Sequence, residues 1–181
     1  MKNPKSSIVL LLALSSLLLY ACEEKIKPSV SSAVNGDVPS QESWNAKITF
    51  TDSGRVTAIL HAGHIAVYEN KKFTYLDSGV VIDFYDEEQR HTSVLTAQRG
   101  KVNDVTHDLE AHGNVIAVSD SGTTVKSDEM FWNNATQKVH TQAFVEVTSP
   151  KEHIRGQGFE SDRDLKQYKI FKVTGQATTN E

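Results

Sequence analysis

The chain has 181 residues, a formal net charge of −4 and a single cysteine, a length that fits one domain with an appendage. The acidic balance excludes a nucleic-acid partner, whose phosphates require clustered Lys and Arg. A lone cysteine excludes an internal disulfide framework and any multi-cysteine metal site.

Lys2 and Lys5 precede a thirteen-residue apolar run from Ile8 to Tyr20. As a helix the run would span about 20 Å, short of the ~30 Å hydrocarbon core of a bilayer. Basic residues before it and the small Ala21 after it make residues 1–21 a secretory signal. The run ends Leu19-Tyr20-Ala21-Cys22. This resembles a bacterial lipoprotein signal, in which the cysteine takes a diacylglycerol and becomes the new N-terminus, so Cys22 is the expected lipid anchor. Several acyl chains on one residue hold a protein on a membrane without a spanning helix. Residues 22–40 mix prolines, serines and scattered charge with no period of 2 or 3.6. They form a tether that reaches on the order of 25 Å as a flexible coil.

Beyond residue 21, Val, Ile and Thr together number 40 against five Leu. β-branched side chains fit a pleated sheet and crowd a helix, so residues 41–181 should be all-β. Turn clusters recur at 51–54, 69–72, 86–89, 103–104, 119–122, 133–134 and 149–151, with apolar alternation between them. Val80, Ile82 and Phe84 share one face of a strand, as do Leu109, Ala111, Val115 and Ala117, and then Val139, Ala143, Val145 and Val147.

A longer period overlies this alternation. Leu60, Leu95, Val125 and Ile154 open similar stretches at separations of 35, 30 and 29 residues. Two positions after each comes a small residue, Ala62, Ala97, Ser127 and Gly156, and roughly twenty residues after each comes a second apolar strand. About four strand-pair repeats, eight strands or more, would bury one apolar face by stacking, with two facing sheets as the expected arrangement. The small-residue column reads either as close sheet packing or as a trough kept open for a long ligand.

No chemistry-bearing motif competes with that reading. His61 and His64 are three apart, which on a regular strand sends them to opposite faces. His107 and His112 diverge likewise, and His91, His140 and His153 stand apart, so no metal site is expected. A Gly-x-Ser-x-Gly elbow, a phosphate-cradling glycine loop and a His-Glu-x-x-His pattern are all missing from the sequence. No cofactor and no enzymatic activity are expected. Trp132, Phe131 and Phe159 are the aromatic candidates for sugar stacking.

Three stretches carry a family resemblance. Leu109-Glu110-Ala111-His112-Gly113-Asn114-Val115 resembles the Leu-x-Ala-x-Gly-x-Val signature of periplasmic lipopolysaccharide-transport proteins. Ile154-Arg155-Gly156-Gln157-Gly158-Phe159 resembles that family's turn into its last repeat. Asn45-Ala46-Lys47-Ile48-Thr49-Phe50-Thr51-Asp52-Ser53-Gly54 resembles the strand-turn opening of the LptC branch. The resemblance runs over about residues 41 to 176. It implies a twisted, open β-jelly roll, the OstA-like fold. It also implies a non-enzymatic component that receives lipopolysaccharide from an inner-membrane ABC transporter complex and passes it along a periplasmic bridge toward the outer membrane. Many members of this branch carry an N-terminal spanning helix, where this chain has Cys22 as its expected lipid anchor.

Together these readings place the protein on the periplasmic side of the inner membrane, lipid-anchored, with lipopolysaccharide between its inner faces. Val80, Ile82, Val115, Val145 and Val147 are the candidate lining residues. A downstream bridge protein would pair with an edge strand, for which Ile170 to Gly175 is the expected donor. The competing reading is a structural or carbohydrate-binding envelope lipoprotein with a closed β-sandwich core.

Overall fold

In a computed structural model, residues 38–178 are described. The expected signal 1–21, the anchor Cys22 and nearly all of the 22–40 tether lie outside them. The described chain forms ten antiparallel strands. They are β1 (Gln41–Asp52), β2 (Arg55–Tyr68), β3 (Phe73–Tyr85), β4 (His91–Ala97), β5 (Arg99–Asn103), β6 (Leu109–Ser119), β7 (Thr124–Asn133), β8 (Lys138–Thr148), β9 (Glu152–Asp162) and β10 (Tyr168–Thr178). A single 3₁₀ turn, Glu69–Lys71, joins β2 to β3.

The strands belong to one sheet, not the two facing sheets that alternation alone suggests. Its order is β1-β2-β3-β4-β6-β7-β8-β9-β10, with β5 continuing the line of β4 between β3 and β6. The sheet does not close, so β1 and β10 are its two edges.

What turns one sheet into two facing layers is a crease across it. β2 and β3 lose register between Ala62 and His64, where Ser78 and Gly79 supply an extra residue at φ 60° and 91°. The same happens in β6 at Gly113 and Asn114 (φ 80° and 47°), in β8 between Thr141 and Phe144, and in β10 between Val173 and Gly175. Each such bulge bends its strand and strengthens the local twist. Across the middle the crease is hydrogen-bonded. Gly79 N donates to Gln98 O at 3.2 Å, and Gln98 N donates to Gly113 O at 3.0 Å, with Gln98 the break between β4 and β5.

Two arms result. One ends in the β1–β2, β3–β4, β6–β7 and β8–β9 turns; the other ends in the β2–β3, β5–β6, β7–β8 and β9–β10 turns. Phe84 and Trp132 are three strands apart, and the register carries Trp132 through Leu109 and Val102 to Thr74, ten residues from Phe84 along β3. A flat sheet would hold them about 36 Å apart, yet their ring centroids lie 5.8 Å apart. The inner faces of both arms therefore share one core, which runs from Ala58 and Leu60 to Val147 and Phe159.

The crease also corrects the histidine geometry. Ala62 and Ile65 are both buried, so the bulge between them leaves His61 and His64 together on the outer face. His64 there bridges three strands, with Nδ1 3.1 Å from Asp77 and Nε2 3.0 Å from Glu42. His91 lies 2.8 Å from Asp120, and His153 2.7 Å from Glu146, so these two are partnered on the surface.

Candidate functional site

The arms meet fully along the core but part at their tips on the β1 side, leaving a cleft of about 590 Å³. One wall comes from the first arm: Phe50 at the end of β1, Leu60 on β2, and Ile82 and Phe84 on β3. The other comes from the second arm: Val102, Leu109 and Trp132 on β5, β6 and β7. Period 2 explains the apolar floor, because Ile82 and Phe84, like Ala58 and Leu60, point to the same side of their strands. The rim is polar, with Thr51, Asp52, His107, Asn134, Gln137 and Arg163. A volume of this size lies in the range of small-ligand pockets, and the division into apolar floor and polar rim suits an amphiphile.

Val80, Ile82, Val115, Val145 and Val147 all face inward and are buried, none more than 2 % exposed. Only Ile82 among them borders the cleft. The other four sit deeper, where the arms are in contact, so a ligand reaches them only if the arms part.

The small-residue column follows the crease. Register connects Ala46, Ala62, Val80 and Ala97 on one side, and Val115, Ser127, Val145, Gly156 and Val173 on the other. At Gly156 the space that a side chain would take is already filled: a Cβ there would meet Ile170 Cγ2 and lie 2.5 Å from the Lys172 carbonyl oxygen. Ser127 donates to the Phe144 carbonyl at 2.9 Å, closing the irregular stretch between β7 and β8. At Gly156 the missing side chain lets the β9 and β10 backbones approach, and at Ser127 a small hydroxyl reaches a carbonyl that the ladder leaves free.

Several contacts at the site are invisible to strand alternation. Leu165, in the β9–β10 turn, is 1 % exposed and belongs to the shared core. Ser93 on β4 donates to the Arg163 carbonyl at 2.5 Å, joining the arms. Tyr168, at the start of β10, donates from its hydroxyl to the Glu152 carboxylate at 2.6 Å. Burial and that carboxylate push the Tyr168 phenol up to about 12, so it remains a donor at neutral pH. A lone leucine amid Asp162, Arg163, Asp164 and Lys166 is the one sequence signal that could have marked this turn.

The aromatic row that sugar stacking needs does not form. Phe159 is wholly buried, Trp132 leans inward on Phe84, and Phe131 stacks on His140 with centroids 5.6 Å apart. Trp44 is exposed on the outer face beside His64, far from the floor of the cleft. Among the described residues, no group of three or more His, Cys, Asp or Glu side chains is placed to hold a metal ion, and no helix is long and apolar enough to cross a membrane.

Comparison with known proteins agrees with this architecture. No curated protein matches the chain. A family model described as lipopolysaccharide-assembly, LptC-related, matches residues 8–178, almost its whole length. With a single creased β-sheet, an apolar interior and that match, the chain belongs to the LptC-related family of lipopolysaccharide assembly, whose members are periplasmic, inner-membrane-associated transport components.

Proposed function

We propose that this protein carries lipopolysaccharide with its acyl chains between the two arms and its sugar head at the polar rim. The observation that supports this is the cleft itself, an apolar floor continuous with the buried inner faces and open to solvent at a polar rim. Phosphorylated sugars cannot enter an apolar interior without a large desolvation cost, whereas acyl chains gain by leaving water. Ile82 with Phe50, Phe84 and Trp132 makes first contact, and Val80, Val115, Val145 and Val147 do so when the arms part.

In this reading residues 1–21 are a cleaved signal, Cys22 bears the lipid that holds the protein on the inner membrane, 22–40 is the tether and 41–181 the periplasmic domain. Lipopolysaccharide arrives from the inner-membrane ABC transporter complex. It leaves toward a downstream bridge protein that pairs with β10, which has no strand beside its outer backbone groups among the described residues.

The test uses the full chain and purified lipopolysaccharide. Phe50→Arg puts a charge on the cleft wall, and Val81→Arg puts the same charge on the outer face of the sheet, where Val81 is already exposed. With both variants shown folded by circular dichroism, Phe50→Arg should weaken binding at least about tenfold, the equivalent of 1.4 kcal/mol, and Val81→Arg should bind as the parent does. A folded Phe50→Arg variant that binds normally would refute the reading.

A further inference from the structure

The cleft and the β10 edge lie on opposite sides of a closed stretch of the mouth. From the cleft, the next pair of facing elements is β4 on one arm and the β9–β10 turn on the other. Here Ser93 Oγ donates to the Arg163 carbonyl at 2.5 Å, and Leu165 enters the core from the turn. If the sheet were flat, β4 and β9 would be about 19 Å apart, four strand spacings, so this contact exists only because the mouth is shut. Further along, Tyr168 Oη bonds the Glu152 carboxylate across the same gap at 2.6 Å.

The turn is built to hold this position. Leu165 sits at φ 54°, a region that L-residues with side chains seldom occupy. The Asp162 carboxylate accepts from Lys166 N at 3.1 Å and Gln167 N at 3.3 Å, and Leu165 N donates to Asp162 O at 3.2 Å. Asp164 pairs with Lys166 at 2.7 Å, and the pair faces Asp86, Arg90 and Asp120 of the other arm across a small pocket. A turn whose polar groups bond one another while its one apolar side chain is buried is anchored by that side chain and by few bonds to its neighbours.

We infer that the β9–β10 turn, with Ser93 and Tyr168, is a latch across the mouth that lipopolysaccharide must open to travel from the cleft to the β10 edge. This rests on the carrier reading above. Acyl chains between the arms leave the head outside, so the head must cross every point where the arm tips touch. The contacts at Ser93, Leu165 and Tyr168 stand on that route.

The test places a photoreactive phenylalanine analogue in the full chain at Phe50, which borders the cleft, or at Val173, the exposed β10 end of the inner row. Purified lipopolysaccharide is added and adducts are followed in time. Adducts at Phe50 should form fast in every variant. At Val173 they should form about tenfold faster once Ser93→Ala and Tyr168→Phe are combined, because removing closed-state contacts speeds opening. That pair deletes two hydroxyls and leaves the Tyr168 ring stacked on Phe159. Leu165→Ala should act in the same direction, and the conservative Leu165→Met should behave as the parent. Adducts at Phe50 with an unchanged rate at Val173 in all variants would overturn the latch and leave the carrier reading standing. Adducts at neither position would overturn both.

Discussion

Replacing Gly156 by alanine discriminates between a column of small residues that closes the sheet and one that holds a trough open. An alanine Cβ would lie 2.5 Å from the Lys172 carbonyl oxygen and press on Ile170 Cγ2, where ordinary contact begins near 3.4 Å. The oxygen is backbone, so relief requires β10 to move away from β9 by close to 1 Å at the pairs Lys172–Gln157 and Val173–Gly156. Overpacking of this kind costs about 1–3 kcal/mol, and each strained or lost ladder bond adds about 1 kcal/mol. Alanine returns about 0.5–1 kcal/mol through lower chain entropy. The net destabilisation is about 2 kcal/mol, which at this chain length lowers the melting temperature by roughly 4–8 °C.

The assay is thermal unfolding followed by circular dichroism, with Gly175→Ala as the paired control, since a Cβ at Gly175 meets nothing within 4 Å. The control should melt within about 1 °C of the parent, surface changes of this type being small. If Gly156→Ala melts no lower than Gly175→Ala, the filled-space argument fails. If it keeps its melting temperature but loses lipopolysaccharide binding, the column is open space for ligand.

Three further outcomes follow from the geometry. Phe159→Ala removes a wholly buried ring from the shared core and should cost about 3–5 kcal/mol; a loss under about 1 kcal/mol by urea titration would contradict its place there. The hydrogen bond to Asp77, reinforced by Glu42, raises the His64 pKa above its usual 6.5 although burial opposes it. The resulting stabilisation is fully present below pH 6.5 and is lost as the pH rises through the folded-state value. An NMR titration of His64 should show a midpoint above 6.5, and the stability difference between the parent and His64→Gln should shrink toward alkaline pH; a midpoint at or below 6.5 would break the argument. With Trp44→Phe, Trp132 becomes the only tryptophan. Its emission should shift to the blue and resist acrylamide quenching when lipopolysaccharide fills the cleft, and an unchanged spectrum at saturation would place the lipid elsewhere.

Strand alternation carried much of this architecture into the sequence. Val80-Ile82-Phe84 and Val145-Val147 point inward as their period of 2 requires, because a pleated strand offers no other way to bury every second side chain. The turn clusters lie at or beside the strand ends for the same reason, since Gly, Asn, Asp and Ser adopt the conformations that reverse a chain. The crease left no such trace. It depends on left-handed backbone at Ser78-Gly79 and Gly113-Asn114, residue types that elsewhere in this chain mark ordinary turns, and across it the inward parity shifts in β2, β7 and β9 while it holds in β3, β6 and β8. That is why His61 and His64 share a face, and why Phe159 lies inside while Phe131 lies outside. Period 2 likewise reports an apolar face without saying whether two faces belong to two sheets or to one sheet folded on itself. Leu165 was out of reach because a single apolar residue in a charged turn has no alternating neighbours, and the contact to its turn from the other arm, Ser93 Oγ to the Arg163 carbonyl, spans 70 positions of the chain.

The central claim, that lipid lies between the arms, is tested most directly by photo-crosslinking in cells at two neighbouring aromatic positions. Phe84 points into the cleft and Tyr85 points outward against His91, and a photoreactive phenylalanine analogue replaces either ring with little change in shape. The account predicts a lipopolysaccharide adduct at Phe84 and none at Tyr85. An adduct at Tyr85 alone, or at neither position in a chain shown to be folded and exported, would contradict it.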